Sequence, residues 1–176
     1  ISLPSRLAQQ AAFLEENKSV ALVASLIEGF PAKEIRGGFQ IYIEWLNSMI
    51  TDDQIKEQIF VESPFEHPSV MFRKSAVEKL GGYEEHGWGE GSDLVLRVAQ
   101  SGLCFAKIPE ILVRWRDHPP RLTRSDSRYS LSNFLRAKAH YLMRGPMKDR
   151  DALIVWGAGM MGKRLSKFLL DEGAPL

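Results

Sequence analysis

Two carboxylates three residues apart, Glu90 and Asp93, bracket Gly91-Ser92 at the start of a run with helical spacing. A carboxylate at a helix N-terminus, beside a serine and the positive end of the helix dipole, stays ionised and can receive a proton. That suits attack by a hydroxyl, because an alcohol is a poor nucleophile until a base takes its proton. The same two charges also suit a role confined to stabilising the helix. A second group is cationic: Arg114, Arg116, Arg121, Arg124 and Arg128, with His118, Pro119 and Pro120 among them, in a segment of ten basic and three acidic residues over 111–150. Such a cluster fits an anionic partner or a solvated face. The third is Gly157-Ala158-Gly159-Met160-Met161-Gly162, in which Gly157, Gly159 and Gly162 complete G-x-G-x-x-G between a strand-like run and a helix. Those glycines permit a tight turn and let backbone N–H groups approach a pyrophosphate, the basis of NAD(P) binding. They equally serve a βα turn that needs glycine for packing alone.

The elements that must position these groups alternate. Residues 5–16 carry Leu7, Ala11 and Leu14 on one helical face, and residues 20–27 read as a buried strand. Residues 39–50 have helical spacing, and Thr51 with Gln54 has the capping-box pattern for the next helix. A short strand at 70–72 leads to a helix capped at Ser75 and ended by Gly81-Gly82; Ser92 is expected to cap a helix over 93–100 that stops at Gly102. Two strands are expected at 103–108 and 111–116, then a helix of about 15 residues from Leu131 ended by Gly145-Pro146. Residues 152–156 read as a strand and 163–170 as a helix. Mixed strands and helices of this kind argue for an α/β fold.

The 176 residues, 44% hydrophobic, are enough for a core, and the charge balance runs −6 over 1–110, +7 over 111–150 and zero over 151–176. A single cysteine, Cys104, excludes a disulfide framework and a cysteine-built zinc site. No apolar run approaches the roughly 20 residues needed to span a bilayer. The basic segment lacks the interleaved aromatics of a nucleic-acid motif, so no nucleic acid is expected as partner. The chain opens without Met and stops soon after a new unit begins, which leads us to expect a fragment.

A resemblance extends over residues 1–145. His67-Pro68-Ser69-Val70-Met71-Phe72-Arg73-Lys74-Ser75-Ala76, Gly81-Gly82-Tyr83, Gly89-Glu90-Gly91-Ser92-Asp93-Leu94-Val95-Leu96-Arg97 and Ile108-Pro109-Glu110 resemble, in order, the second half of family 2 glycosyltransferases of the GT-A type. The opening Ile1-Ser2-Leu3-Pro4-Ser5-Arg6-Leu7 resembles the stretch after that family's aspartate-rich motif. The run from Trp115 to Arg124 is similar to a bacterial subgroup with an appended Rossmann-like tail.

The resemblance implies a GT-A fold lacking its N-terminal half over 1–145, a linker over 146–151, and the first β-turn-α of a Rossmann-like unit over 152–176. It implies inverting transfer of a sugar from a nucleoside diphosphate sugar to a glycan or lipid-linked acceptor. Mg²⁺ or Mn²⁺ would be held by aspartates upstream of Ile1. The family pattern at the base is Glu-Asp-x-Asp, and the usual base falls on Gly91. Glu90, or else Asp93, is expected to substitute. His67 would contact donor or acceptor; Trp88 would stack on a sugar ring or pack a loop. Arg116, His118, Arg121 and Arg124 would close over the diphosphate, with His118 alternatively near the metal. The rival readings are an NAD(P)-binding oxidoreductase fragment and a sugar-nucleotide-binding domain without catalysis. A cytoplasmic location is expected, with peripheral contact at the inner face of the membrane if the acceptor is lipid-linked.

Overall fold

The computed structural model describes every residue except Arg36 and Pro119, so Pro119 of the basic segment lies outside the described residues. The chain divides into two compact units, residues 1–83 with 94–121, and residues 84–93 with 122–176.

The first unit is built on a three-stranded mixed sheet. Its central strand β1, Val20–Phe30, pairs antiparallel with β2, Met71–Phe72, and parallel with β3, Cys104–Arg116. β1 is buried without a break from Val20 to Ser25, the signature of a strand covered on both faces. Helix α1, Arg6–Glu16, sets Leu14 into a core with Val20, Val23, Ile108 and Leu112. Its buried Gln10 donates to the carbonyls of Val23 and Ser69, at 3.2 and 2.8 Å.

Where two strands were expected at 103–108 and 111–116, there is one. Ser25 pairs with Ile108 and Leu26 with Ile111, so Pro109-Glu110 bulges out of a continuous strand. Pro109 has no N–H to give the ladder, and a bulge removes the need for one.

Helices α2, Gly38–Ser48, and α3, Asp52–Gln58, follow β1. The Thr51/Gln54 capping box forms at α3, and Asp52 accepts from the Phe105 amide at 2.9 Å, tying the helix start to β3.

Helix α4, Lys74–Lys79, departs from expectation, for Ser75 lies inside its first turn and caps nothing. The N-cap residue is Arg73, whose guanidinium reaches the carbonyls of Val20, Asn17 and Leu14. A cation on the last carbonyls of α1 is favoured by that helix's dipole, and it fixes where α4 begins.

Helix α5, Glu90–Gln100, starts three residues earlier than expected. The Asp93 amide donates to the Gly89 carbonyl at 3.0 Å, so Ser92 sits within the first turn and does not cap. The helix stops at Gly102, whose φ of +75° suits glycine.

The second unit holds α6, Leu122–Ser125, a 3-10 turn Ser127–Tyr129, α7, Leu131–Arg144, and α8, Met160–Asp171. Ser130 caps α7 by accepting from the Asn133 amide. Helices α7 and α8 pack through Ala139, Leu169 and Ala174, with Leu153, Val155 and Phe168 against them.

The strand expected over 152–156 is not in a ladder. Its alternation is present, with Leu153 and Val155 inward and Ile154 and Trp156 at 90% and 98% exposure. The Leu153 amide donates to the Pro175 carbonyl at 2.9 Å; an extended segment without a neighbouring strand keeps its side-chain pattern but makes no sheet. Helix α8 starts at Met160, not at Lys163. Among the described residues no helix is long and apolar enough to cross a membrane.

Candidate active site

The first turn of α5 carries both expected carboxylates, and the second unit treats them differently. Asp93 has no exposed surface. Its Oδ1 accepts from Trp88 Nε1 at 2.8 Å and from the Tyr141 hydroxyl at 2.6 Å, and His86 Nε2 stands 4.0 Å away. Burial of a charge is tolerable when it is bonded in this way, and the result is a pin between the start of α5 and α7. Glu90 is different: its side chain keeps 36% exposure, so a solute can reach it.

Glu90 is held in place. The Tyr129 hydroxyl lies 2.8 Å from its Oε1 and 2.9 Å from Oε2. Arg128 Nη1 stands 3.8 Å from Oε2 and is itself anchored on Asp126, with Nη2 2.7 Å from Oδ2. The bonds from Arg128 hold the Asp126 carboxyl below the usual range. Burial, then the bond to Glu90, pushes the Tyr129 phenol up to about 12, so it remains a donor at neutral pH. A Cβ at Gly89 would come within 3.0 Å of the Tyr129 ring, so the bare glycine is what lets the ring approach.

Trp88, expected as a sugar platform or a packing residue, is largely buried. At 8% exposure its indole stacks on His86 at 5.3 Å, with His140 at 5.4 Å and the Arg136 guanidinium at 5.6 Å. His140 continues the cluster to Glu172 at 3.2 Å, which also takes Arg144.

The other expected residues are spread over both units. In the first, His67 sits in a 3-10 turn, His67–Ser69, with Nε2 2.8 Å from the Tyr83 hydroxyl. Arg116 ends β3, exposed. The His118 carbonyl accepts from the Arg121 amide at 3.3 Å. Arg121 lies over Trp115, 4.1 Å from its ring centre and 5.4 Å from that of Phe39, with Nη1 3.5 Å from Asp117. Its guanidinium thus packs on aromatic faces beside a carboxylate. Arg124 is exposed on α6 of the second unit.

The glycine motif forms its turn. Gly157 has a φ of +120°, Gly159 is the N-cap of α8, and a Cβ at Gly162 would lie 1.8 Å from the Gly157 carbonyl oxygen. A groove of about 590 Å³ beside it is lined by Gly157, Ala158, Lys163, Ser166 and Lys167 among others. The turn and its lysines fit a phosphate, while the closeness of the Gly157 carbonyl accounts for Gly162 through packing and the positive φ accounts for Gly157. Gly162→Ala should therefore cost about 1–3 kcal/mol in thermal unfolding whether or not any ligand binds; an unchanged midpoint would show that the turn opens freely.

Among the described residues no three His, Cys, Asp or Glu side chains cluster as metal ligands.

Two groups, Lys107 buried and Glu66 partly buried, escaped sequence reasoning. Lys107, 4% exposed on β3, donates to the Leu46 carbonyl, and burial pushes its ammonium down to about 7. Its inward parity on the strand, two residues from buried Phe105, was the available signal. Glu66 is pushed up to about 8 by burial, against the pull of Arg121. In each case the folded protein disfavours the charged form. Lys107 should make stability rise with pH from about 7 towards its unfolded value of 10.5. Glu66 should make stability fall as pH rises from its unfolded 4.5 to about 8. Each slope is at most about 1.4 kcal/mol per pH unit. Urea unfolding across pH, repeated on Lys107→Met and Glu66→Gln, should lose the matching slope in each variant.

No family model matches the chain. Over 117 residues, 66% of the chain and 41% of the relative, it is 28% identical to the amylovoran biosynthesis glycosyltransferase AmsE of Erwinia amylovora. Over 113 residues, 64% of the chain and 40% of the relative, it is 30% identical to an uncharacterized glycosyltransferase of Haemophilus influenzae. The chain is similar to glycosyltransferases. It spans about two fifths of the length of the curated relatives it matches. Sugar transfer to a hydroxyl needs a group that accepts the hydroxyl proton, and of the two carboxylates at the start of α5 only Glu90 is open to a solute.

Proposed function

We propose that the protein is an inverting glycosyltransferase of the family 2, GT-A type, with Glu90 as the base. The carrying observation is Glu90 itself, a reachable carboxylate on the first turn of α5 held by Tyr129 and Arg128. The acceptor hydroxyl passes its proton to a Glu90 oxygen while its oxygen bonds to the anomeric carbon. The bond from that carbon to the diphosphate breaks, and the nucleoside diphosphate leaves with the electron pair. Attack from the face opposite the leaving group inverts the anomeric centre.

Glu90 stands one residue before the expected position at Gly91 and brings the same functional group to the same helix turn. Asp93 supports it by fixing the turn. Arg116, His118 and Arg124 are assigned to the leaving diphosphate and His67 to a sugar. The donor is a nucleoside diphosphate sugar and the acceptor a glycan or a lipid-linked saccharide, used at the cytoplasmic face of a membrane. The glycine turn of the C-terminal unit is assigned to a phosphate-bearing ligand such as NAD(P).

The test is the anomeric configuration of the product made by the full-length protein, read from proton NMR coupling constants. An inverted centre supports the reading; retention would exclude Glu90 as a base for direct displacement.

A further inference from the structure

The contact that fixes Glu90 comes from far along the chain, and nothing in the reaction as set out above uses it. We propose that Tyr129 is the positioning residue of the base: its hydroxyl, shared between the two Glu90 oxygens, sets the carboxylate's orientation toward the acceptor hydroxyl. The inference rests on Glu90 being the base.

The geometry has three parts. The hydroxyl is 2.8 and 2.9 Å from the two oxygens, so a single proton is shared across the carboxylate and fixes its plane. A carboxylate has about four lone-pair sites, so this sharing leaves room for an acceptor hydroxyl. Next, Tyr129 is itself fixed, closing the 3-10 turn Ser127–Tyr129 whose start is capped by Asp126 accepting from the Arg128 amide at 2.9 Å. Finally, the ring passes over Gly89, where any side chain would push it back. Arg128, 3.8 Å from Oε2, adds charge on the same side. A base that must meet a hydroxyl at hydrogen-bond distance loses rate when its side chain swings freely, because a small misplacement is costly.

The test is a double-mutant cycle on the full-length protein with Tyr129→Phe, Glu90→Gln and both. Phenylalanine keeps the ring on Gly89 and removes only the hydroxyl. We expect kcat to fall about tenfold in Tyr129→Phe, with the donor KM within about twofold and the unfolding midpoint little changed. In the Glu90→Gln background the same substitution should have no further effect, since there is no base left to position. Independent multiplication of the two losses would overturn the proposal, as would unchanged kcat in Tyr129→Phe while Glu90→Gln is impaired. Normal turnover by Glu90→Gln would sink the base assignment and this inference with it. A measurement free of turnover accompanies the cycle: ¹³Cζ NMR titration of the tyrosines. The phenol whose signal is missing from Tyr129→Phe should titrate at lower pH in Glu90→Gln, and its staying in place would contradict the contact.

Discussion

Glu90→Gln should reduce kcat by about 10²–10⁴-fold, the range that a positioned general base supplies. Glutamine keeps the length and an oxygen that can accept from Tyr129, so the turn Ser127–Tyr129 and the start of α5 are preserved. What it loses is the ability to take a proton. Donor affinity should stay within a few-fold, because binding a nucleoside diphosphate does not draw on this carboxylate. The measurement is steady-state kinetics beside equilibrium binding of the donor. A large loss of affinity with kcat preserved would make Glu90 a binding residue, and the proton would have to go elsewhere.

Asp93 gives the largest expected effect on stability. Asp93→Ala should remove the acceptor of two buried donors, Trp88 Nε1–H and the Tyr141 hydroxyl, both of which now bond to Oδ1. Each lost bond to a buried group costs about 1–3 kcal/mol. For a chain of this length the sum corresponds to roughly 4–24 °C in the unfolding midpoint. Asp93→Asn retains an acceptor at Oδ1 and should lose much less. If the two variants were equally mild, the pin between α5 and α7 would contribute little, and the exposed edge of the cluster at His86 would have to be reconsidered. If Asp93→Asn lost turnover with an unchanged midpoint, Asp93 would be more than a support.

The local parts of this architecture could be read from local spacing. Thr51 and Gln54 form their capping box because both bonds close within three residues, and β1 is an apolar run with strand length. Where a long-range contact decides, spacing misleads. Ser75 has the capping pattern, yet α4 starts where Arg73 is drawn onto the end of α1, 56 and 59 residues away. The same holds for the site. Glu90 and Asp93 were visible as a pair, but their division of labour depends on Tyr129, 39 residues on, and Tyr141, 48 residues on. Trp88 between two glycines looked as suited to a sugar as to a loop; the bond from its indole N–H to a buried carboxylate depends on a fold that spacing does not show. Residues 152–156 show the converse, a strand pattern intact in the side chains while the backbone lacks a ladder.

The most direct test is release of nucleoside diphosphate from a panel of nucleotide sugars, with Mg²⁺ or Mn²⁺ present, by the full-length protein beside its Glu90→Gln variant. The account predicts release from at least one donor and a loss of at least about 100-fold in the variant. Release from none of the donors by a folded protein, or equal release by both proteins, would contradict it and leave a domain that binds sugar nucleotides without transferring the sugar through Glu90.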